Sequence, residues 1–531
     1  MVRGGTCRVA KGSLGVAMAG MLLTTLPALA ESASAEFDTQ ALYQTHCASC
    51  HGAERLGGMG PALLPGNLSR LKKDAALDVI LEGRPATQMA GFANVLKDEE
   101  SRALAEWIYT PPDSPPTWSM ADIQQSHQLT HPYGSLPDEP GFDADPLNLF
   151  LVVETGDHHV SLLDGDSFER LDRFESRYAL HGGPKYTPDG RYVFFGSRDG
   201  WISKYDIYNQ TMVAEVRAGI NMRNIAVSAD GRYVMAANYL PHSLVLFDAH
   251  NLDPMRIYPA TNAAGESSRV SAVYAAPPRG SFIAALKDIK EVWEIPWPIP
   301  TSPVVSTGHM KEPIEALRSH DTPSFEVRRL AAEDYLDDFF FGPEYRYLVG
   351  AARGGQGARV IDLVSGEKIA DLPLEGMPHL GAGITWMLDG RRVMAIPHLN
   401  KGLVSVFDMQ DWSLVSNIET QGPGFFMRSH ENSPYAWVDV FFGPNSDKVH
   451  VIDKQSLEVV KTLQPAPGKV AAHVEFDRRG EKLLLSIWDR DGAVIVYDAQ
   501  TLEELERIPM DKPSGKYNVW NKTRYEEGTS H

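Results

Sequence analysis

A small α-helical domain followed by an all-β, eight-bladed propeller is the fold predicted by this 531-residue sequence. Three observations predict it. A single Cys-Ala-Ser-Cys-His run occupies 47–51, a Pro-rich break follows at 111–116, and from position 149 a hydrophobic-Asp corner recurs mostly every 42 to 46 residues.

The chain is too long for one small core and calls for two or three domains. With 43% hydrophobic and 22% charged residues it reads as globular rather than disordered. The formal net charge of -19 argues against non-specific nucleic-acid binding, which needs clustered Lys and Arg to neutralise phosphate. It also argues against adhesion to anionic lipid.

Residues 1–30 read as a signal peptide rather than part of the fold. Arg3, Arg8 and Lys11 precede an apolar run from Leu14 to Leu26 that ends in Ala28-Leu29-Ala30. Thr24, Thr25 and Pro27 interrupt the run, leaving it short of the roughly 20 apolar residues that cross a bilayer. Cleavage after Ala30 and export to the periplasm are expected, with no membrane span anywhere later.

The sequence has three cysteines, and Cys7 leaves with the signal peptide. Cys47 and Cys50, three apart, would then be a redox pair, half a metal site or a heme attachment. His51 directly after Cys50 selects the last: C-x-x-C-H attaches a c-type heme through both thiols, and the adjacent imidazole becomes the proximal iron ligand. The flanking pattern agrees. Phe37 to Thr45 reads as a helix leading into the site, and Leu96 to Tyr109 as a second, with Asp98, Glu99 and Glu100 in its first turn. A sixth ligand is expected in the loop between them. Met89, in Gln88-Met89-Ala90-Gly91-Phe92, is preferred over Met59, and His46 is too near the attachment site to reach the far face. Residues 31–110 thus resemble a class I cytochrome c.

Pro111-Pro112-Asp113-Ser114-Pro115-Pro116 cannot continue a helix, and 111–148 is expected to be an irregular linker with solvated His127 and His131. Over 149–531 the corners are Leu163-Asp164, Tyr205-Asp206, Phe247-Asp248, Ile361-Asp362, Phe407-Asp408, Ile452-Asp453 and Tyr497-Asp498, with Trp293-Glu294 a degenerate copy. The spacing is that of four strands per propeller blade. Turn tetrads containing Gly190, Gly231, Gly390 and Gly480 recur in phase. Eight corners predict eight blades, or seven if the Pro-rich insertion around 296–323 replaces one. Propellers bind ligands on the axis, so histidines in loops before inner strands are candidates: His181, His379, His398, His430 and His473. A propeller histidine is most often a hydrogen-bonded corner residue; several on one channel beside a heme domain point to chemistry. Arg198 and Arg223 lie in loops expected to face that channel, where they would meet carboxylates, blade-to-blade salt bridges being the alternative.

Tyr178-Ala179-Leu180-His181, Pro378-His379-Leu380-Gly381-Ala382-Gly383 and Gly515-Lys516-Tyr517-Asn518-Val519, together with the heme domain, linker and propeller, resemble the cytochrome cd1 family over nearly the whole mature chain. The resemblance implies a propeller that binds heme d1 or dihydro-heme d1 non-covalently, with His181 as proximal ligand of its iron. His379 matches one of two distal histidines of the nitrite reductases, whereas Asp337 stands where the other would be; a carboxylate there would repel nitrite. His473 falls where the reductases lack histidine, and Tyr517 to Thr523 is nearest to the dihydro-heme d1 dehydrogenase branch.

The expected activity is therefore an oxidoreductase one, converting a propionate of dihydro-heme d1 to an acrylate. His473 would be the general base, Tyr517 a positioning or proton-transfer partner, and electrons would pass to heme c and on to a periplasmic acceptor. A cytochrome cd1 nitrite reductase is the expected recipient of the product. Two alternatives stay open: an NO-forming nitrite reductase, and a non-enzymatic heme d1 carrier.

Overall fold

The computed structural model describes residues 37–69, 71–84, 89–298, 317, 321–353 and 357–524. The signal segment 1–30 and most of the Pro-rich insertion lie outside them. Among the described residues no helix is long and apolar enough to cross a membrane.

The N-terminal domain is helical: Thr39–His46, Ala48–His51, Lys73–Glu82 and Asp98–Trp107. Tyr43, Leu96 and Leu104 form its buried centre, and the rings of Tyr43 and Trp107 pack at 5.0 Å. The last helix begins as its charge pattern predicts, with the Lys97 N–H donating to Oε2 of Glu100 at 2.8 Å. Lys73–Glu82 was not foreseen between the two expected helices. Its apolar stripe is short, and Gly83 at φ +75° ends it where an added Cβ would strike the Met89 carbonyl.

The segment after the Pro-rich break departs from the irregular linker expected. Met120–Ser126 is a helix capped by Ser119 and Asp122, and Gln128–Leu129 adds a fifth strand to the outer edge of a propeller sheet, opposite Ala214 and Glu215. His127 is hydrogen-bonded to the Asn251 carbonyl at 2.7 Å. Trp118 donates to the Arg217 carbonyl, so the segment is docked along its length.

Eight antiparallel sheets follow, one per predicted corner. Blade 1 holds Leu149–Glu154, His159–Asp164 and Arg170–Glu175; blade 2 Lys185–Tyr186 to Thr211–Arg217; blade 3 Asn221–Val227 to Pro254–Pro259; blade 4 Val270–Ala276 to Arg328–Ala331. Blade 5 runs from Leu336–Phe341 to Glu367–Leu372, blade 6 from Ile384–Leu388 to Leu414–Glu419, blade 7 from Met427–Ser429 to Val459–Leu463, and blade 8 from Ala471–Phe476 to Glu504–Met510. The innermost strand of blade 1 comes from the other end of the chain: Pro513–Asn518 pairs with Leu149–Glu154, Tyr517 opposite Leu151. This pairing joins the two ends of the propeller chain within one blade and closes the ring.

The corners have a physical cause. Each aspartate ends the third strand of its blade and accepts the amides of the turn that follows: Asp453 from Gln455 and Ser456, Asp498 from Gln500 and Thr501, Asp408 from Gln410. Blade 4 breaks the rule because the long insertion replaces its tight turn. With no turn amides to accept, Glu294 reaches instead to Arg279 at 2.8 Å and Arg328 at 2.8 Å. The insertion lies within blade 4, between its third and fourth strands, so it costs no blade. Between blades the packing is apolar, as with Phe282 and Trp293 of blade 4 against Met235 and Leu246 of blade 3. Each such fully buried side chain contributes roughly 1.5–3 kcal/mol.

Candidate active site

The heme-attachment loop is built for its group. Cys47 and Cys50 are free thiols, half-buried, at either side of the first turn of Ala48–His51. His51 is buried, and its Nδ1 lies 2.7 Å from the Pro61 carbonyl, which leaves the Nε2 lone pair for an iron. Gly60 allows the ring to lie flat against the backbone, since a Cβ there would come within 2.8 Å of the imidazole. These residues fit a covalent heme. Met89 is partly buried in the stretch before the last helix, whereas Met59 is 66% exposed.

The attachment loop sits on blades 2 and 3. The Arg217 guanidinium, 3% exposed, donates to the Leu56 carbonyl at 2.6 Å and to the Asp199 carbonyl at 2.9 Å, and lies over the Trp118 ring. Asn67 donates to the Ile220 carbonyl, and Ala62 and Leu64 pack on Ile220. One arginine thus joins the heme domain, the docked linker and the propeller.

His181, His379 and His473 enter the propeller at the same end, at or just before the inner strands of blades 2, 6 and 8. The loop carrying His181 needs its glycines: Gly182 and Gly183 have φ of +84° and +66°, and a Cβ at Gly182 would meet Asn224 at 2.6 Å. His181 Nδ1 donates to the Arg223 carbonyl at 2.7 Å, so its Nε2 carries the lone pair. Arg198 Nη2 and Arg223 Nη1 each lie 3.1 Å from that Nε2. Arg198 occupies the expected loop; Arg223 does not, lying instead within the inner strand of blade 3.

Across the channel, Arg223 stands within electrostatic reach of Tyr239, Tyr274 and Asp338. Asp338 Oδ2 is 3.9 Å from His379 Nε2, while its oxygens accept Tyr274 Oη–H and the Gly381 N–H. Burial pushes the His379 imidazole below its ordinary value, opposed by Asp338. Asp337, the expected repulsive carboxylate, takes a different place. It pairs with Lys287 at 2.5 Å and with Arg353, which neutralise its charge; Asp338 is the acid that faces His379.

His473 is 2% exposed and sits at a β-bulge with φ +55°, a strained conformation for a non-glycine residue. Asp439 holds it there, accepting the His473 N–H at 3.3 Å and the Phe425 and Phe426 N–H groups at 2.7 and 3.0 Å. Burial drives the Asp439 carboxyl up to about 6 despite these bonds. The Lys516 N–H donates to His473 Nδ1 at 3.3 Å, a long bond in which Nδ1 is the accepting nitrogen of the ring. Tyr517 stands beside it, ring centroids 5.2 Å apart, with its phenol pushed up by burial.

The channel also holds cations that sequence reasoning missed. Burial, aided by Arg428, pushes Lys185 down to about 7, and burial takes Lys516 and Lys522 well below the ordinary ammonium value. Lys185 Nζ donates to the Gly182 carbonyl at 2.8 Å and so braces the His181 loop. With Arg198, Arg223 and Arg428, basic side chains outnumber the carboxylates Asp338, Asp439 and Glu475 in this part of the described structure. The Arg428 Nη2 is buried with no hydrogen-bond partner among the described residues. An iron macrocycle bearing several carboxylates fits this donor set: one imidazole for the iron, and arginines with buried amines that a carboxylate rim would charge.

The profile of the cytochrome D1 heme domain matches residues 144–522. The chain belongs to the cytochrome D1 heme domain family. A second profile, cytochrome C oxidase, cbb3-type, subunit III, matches residues 37–108. The chain is 55% identical over 518 residues to the dihydro-heme d1 dehydrogenase of Pseudomonas aeruginosa, covering 98% of this chain and 99% of that protein. It is 25% identical over 560 residues to the nitrite reductase of Stutzerimonas stutzeri, covering 96% of each. Among solved structures, dihydro-heme d1 dehydrogenase NirN in complex with DHE matches with a TM-score of 0.85 at 56% identity, over 91% of this chain and 99% of that one.

Within this D1 heme domain, the remaining predicted histidines have other duties. His398 is buried between the Glu375 carbonyl and Ser405 Oγ, a corner role, and His430 accepts the Asn432 N–H at the opposite end of the channel. Asp338, Asp439, Lys185, Arg428 and Glu475 carried no motif. The only available signal was alternation within inner strands, where a charged residue interrupts an apolar run, as Glu475 does between Val474 and Phe476.

Proposed function

We propose that the protein is a dihydro-heme d1 dehydrogenase, an oxidoreductase that converts a propionate arm of its tetrapyrrole substrate to an acrylate. The observation that carries the reading is the buried pair His473 and Tyr517 on the wall of a channel that His181 enters at the same end, from the neighbouring blade 2. The 55% identity with a dihydro-heme d1 dehydrogenase over 98% of the chain supports it.

In this reading His181 Nε2 binds the substrate iron, its tautomer set by the Arg223 carbonyl. Arg198, Arg223 and Lys185 hold the substrate carboxylates and so fix which arm reaches His473. His473 draws off a proton as general base, worth about 10²–10⁴ in rate, and Tyr517 orients the arm or relays a proton. His379 and Asp338 close the distal side. Cys47 and Cys50 would hold a heme c, with His51 and Met89 as the protein ligands to its iron, and that group would supply a one-electron outlet.

We take residues 1–30 to be a cleaved signal peptide and the periplasm to be the site of action. The heme c domain is assigned to 31–110, the linker to 111–148 and the propeller to 149–531. A cytochrome cd1 nitrite reductase is the recipient of the finished cofactor, and a periplasmic one-electron carrier takes the electrons. Relatives among nitrite reductases and NirF proteins support that setting.

The test is anaerobic addition of dihydro-heme d1 and ferricyanide to purified protein. Conversion to the heme d1 spectrum, abolished in His473→Ala with binding retained, is the expected result. Tight binding without conversion would make the protein a carrier, and nitric oxide released from nitrite at high turnover would make it a reductase.

A further inference from the structure

We propose that Glu475 passes the protons released by the reaction to water in a cavity at the end of the propeller opposite His181. The proposal rests on the dehydrogenase reading and names the proton exit that reading requires.

Glu475 lies two residues beyond His473 on the inner strand of blade 8. Val474 and Phe476 pack into the blade core, so Glu475 between them points to the opposite, channel face, two residues along the chain from the bulge at His473. Glu475 is 2% exposed to bulk solvent; its Oε1 accepts the Asn521 amide at 2.8 Å and its Oε2 is 3.7 Å from Arg428 Nε. Glu475 Oε2 and Arg428 Nη2 are buried atoms with no hydrogen-bond partner among the described residues.

Both side chains line a cavity of about 780 Å³, with His430, Asn521 and Lys522. The cavity lies where inner strands end and turn back, at residues such as 429–434, and where third strands turn, at 453–455. That is the opposite end from the one at which His181, His379 and His473 enter. A polar cavity of this size holds water, and water there would satisfy both orphaned atoms. Solvent in this cavity therefore reaches a residue two positions along the strand from a base that is itself buried.

The reaction needs such a route. Two C–H bonds of the propionate arm break and a C=C bond forms. Two electrons leave singly for the external one-electron oxidant, and two protons must leave the site. His473, His379 and Tyr517 are 2%, 6% and 8% exposed, so none delivers a proton to bulk water directly. Glu475 is faced by Arg428 of blade 7, Lys516 and Tyr517 of blade 1, Tyr186 of blade 2, His430, and Lys522 of the C-terminal helix Val519–Thr523. Glu475 meets these groups on the channel side and also lines the cavity, so a proton it accepts from the channel is handed on to the cavity water.

The test uses full-length holoprotein loaded anaerobically with dihydro-heme d1 and mixed with ferricyanide. A pH-indicator dye in weak buffer reads proton release while the spectrum reads conversion. Glu475→Gln is expected to bind substrate as wild type does, to slow proton release at least tenfold, to raise the solvent deuterium isotope effect and to alter the pH profile; Glu475→Asp is expected to recover most of the rate. Should the glutamine variant not fold, Ser429→Leu, which narrows the cavity, is expected to slow release likewise. Wild-type release kinetics, isotope effect and pH profile in the folded variants would overturn the proposal. A wild-type protein that does not convert the substrate would instead overturn the dehydrogenase reading, and Glu475's role with it.

Discussion

The imidazole Nδ1 of His181 lies 2.7 Å from the carbonyl oxygen of Arg223, a bond from the loop before blade 2 to the inner strand of blade 3. It spends the ring's N–H on the backbone and turns the Nε2 lone pair into the channel. A blade-to-blade contact thus sets the tautomer of a channel imidazole.

His181→Ala is accordingly expected to lose the axial-ligand signature of bound iron in the absorption and electron paramagnetic resonance spectra of protein loaded with dihydro-heme d1. Affinity should fall at least about tenfold, the scale on which ligand support acts. The heme c spectrum, which depends on His51, should not change.

Lys185 gives a proton count. Its amine, pushed down to about 7 by burial beside Arg428, is mostly neutral at pH 8 in the free site. A substrate carboxylate raises it again, so binding at pH 8 should take up about one proton, and binding at pH 6, where the group is already charged, should take up less. Affinity then weakens as pH rises above about 7. Calorimetric titration in buffers of different ionisation enthalpy measures the uptake, and Lys185→Met should abolish it.

Asp439 makes stability depend on pH in the sense opposite to most acids. Its folded value, about 6, is above the ordinary carboxyl value of about 3.9, so its contribution is full below about pH 4 and is lost as pH rises through 6. The loss reaches about 3 kcal/mol above pH 7. Asp439→Asn, which can still accept the Phe425 amide, should therefore gain stability relative to wild type between pH 4 and pH 8. Denaturant unfolding at both pH values is the measurement, and a constant difference would contradict it.

Arg217 holds the heme domain on the propeller through the Leu56 and Asp199 carbonyls. Arg217→Met leaves both acceptors without their donor and is expected to cost about 2–4 kcal/mol of docking free energy. Faster proteolysis between 111 and 119 and slower reduction of heme c by bound substrate would report it. Heme attachment at Cys47 and Cys50 should stay complete.

Much of this architecture was legible in the residues because it rests on local chemistry. Asp453 and Asp498 mark corners because a short carboxylate caps the amides of its own turn, a relation within three residues. Cys47, Cys50 and His51 identify a heme site because one helical turn carries all three. The docked linker was not legible: Gln128 and Leu129 become a strand only because Glu215 and Ala214 offer an open edge. Asp337 and Asp338, adjacent in sequence, could not be told apart until Lys287 claimed one and His379 met the other.

By itself the sequence determined the order of parts: a covalent heme domain, a break, and eight copies of a four-strand unit whose turns carry their own signals. It also determined three of the channel's imidazoles, since glycines and prolines mark the loops that hold two of them. Tertiary structure alone decided that residues 513–518 close the first blade and bring Tyr517 beside His473. It alone decided that Arg198 and Arg223 converge on His181, and that buried Glu475 and Arg428 lie between that site and a cavity at the far end. The physical reason is one of range. A turn or a cap is satisfied by neighbours in the chain, whereas the burial and partners of a channel residue come from other blades, tens of residues away and, where the ring closes, hundreds.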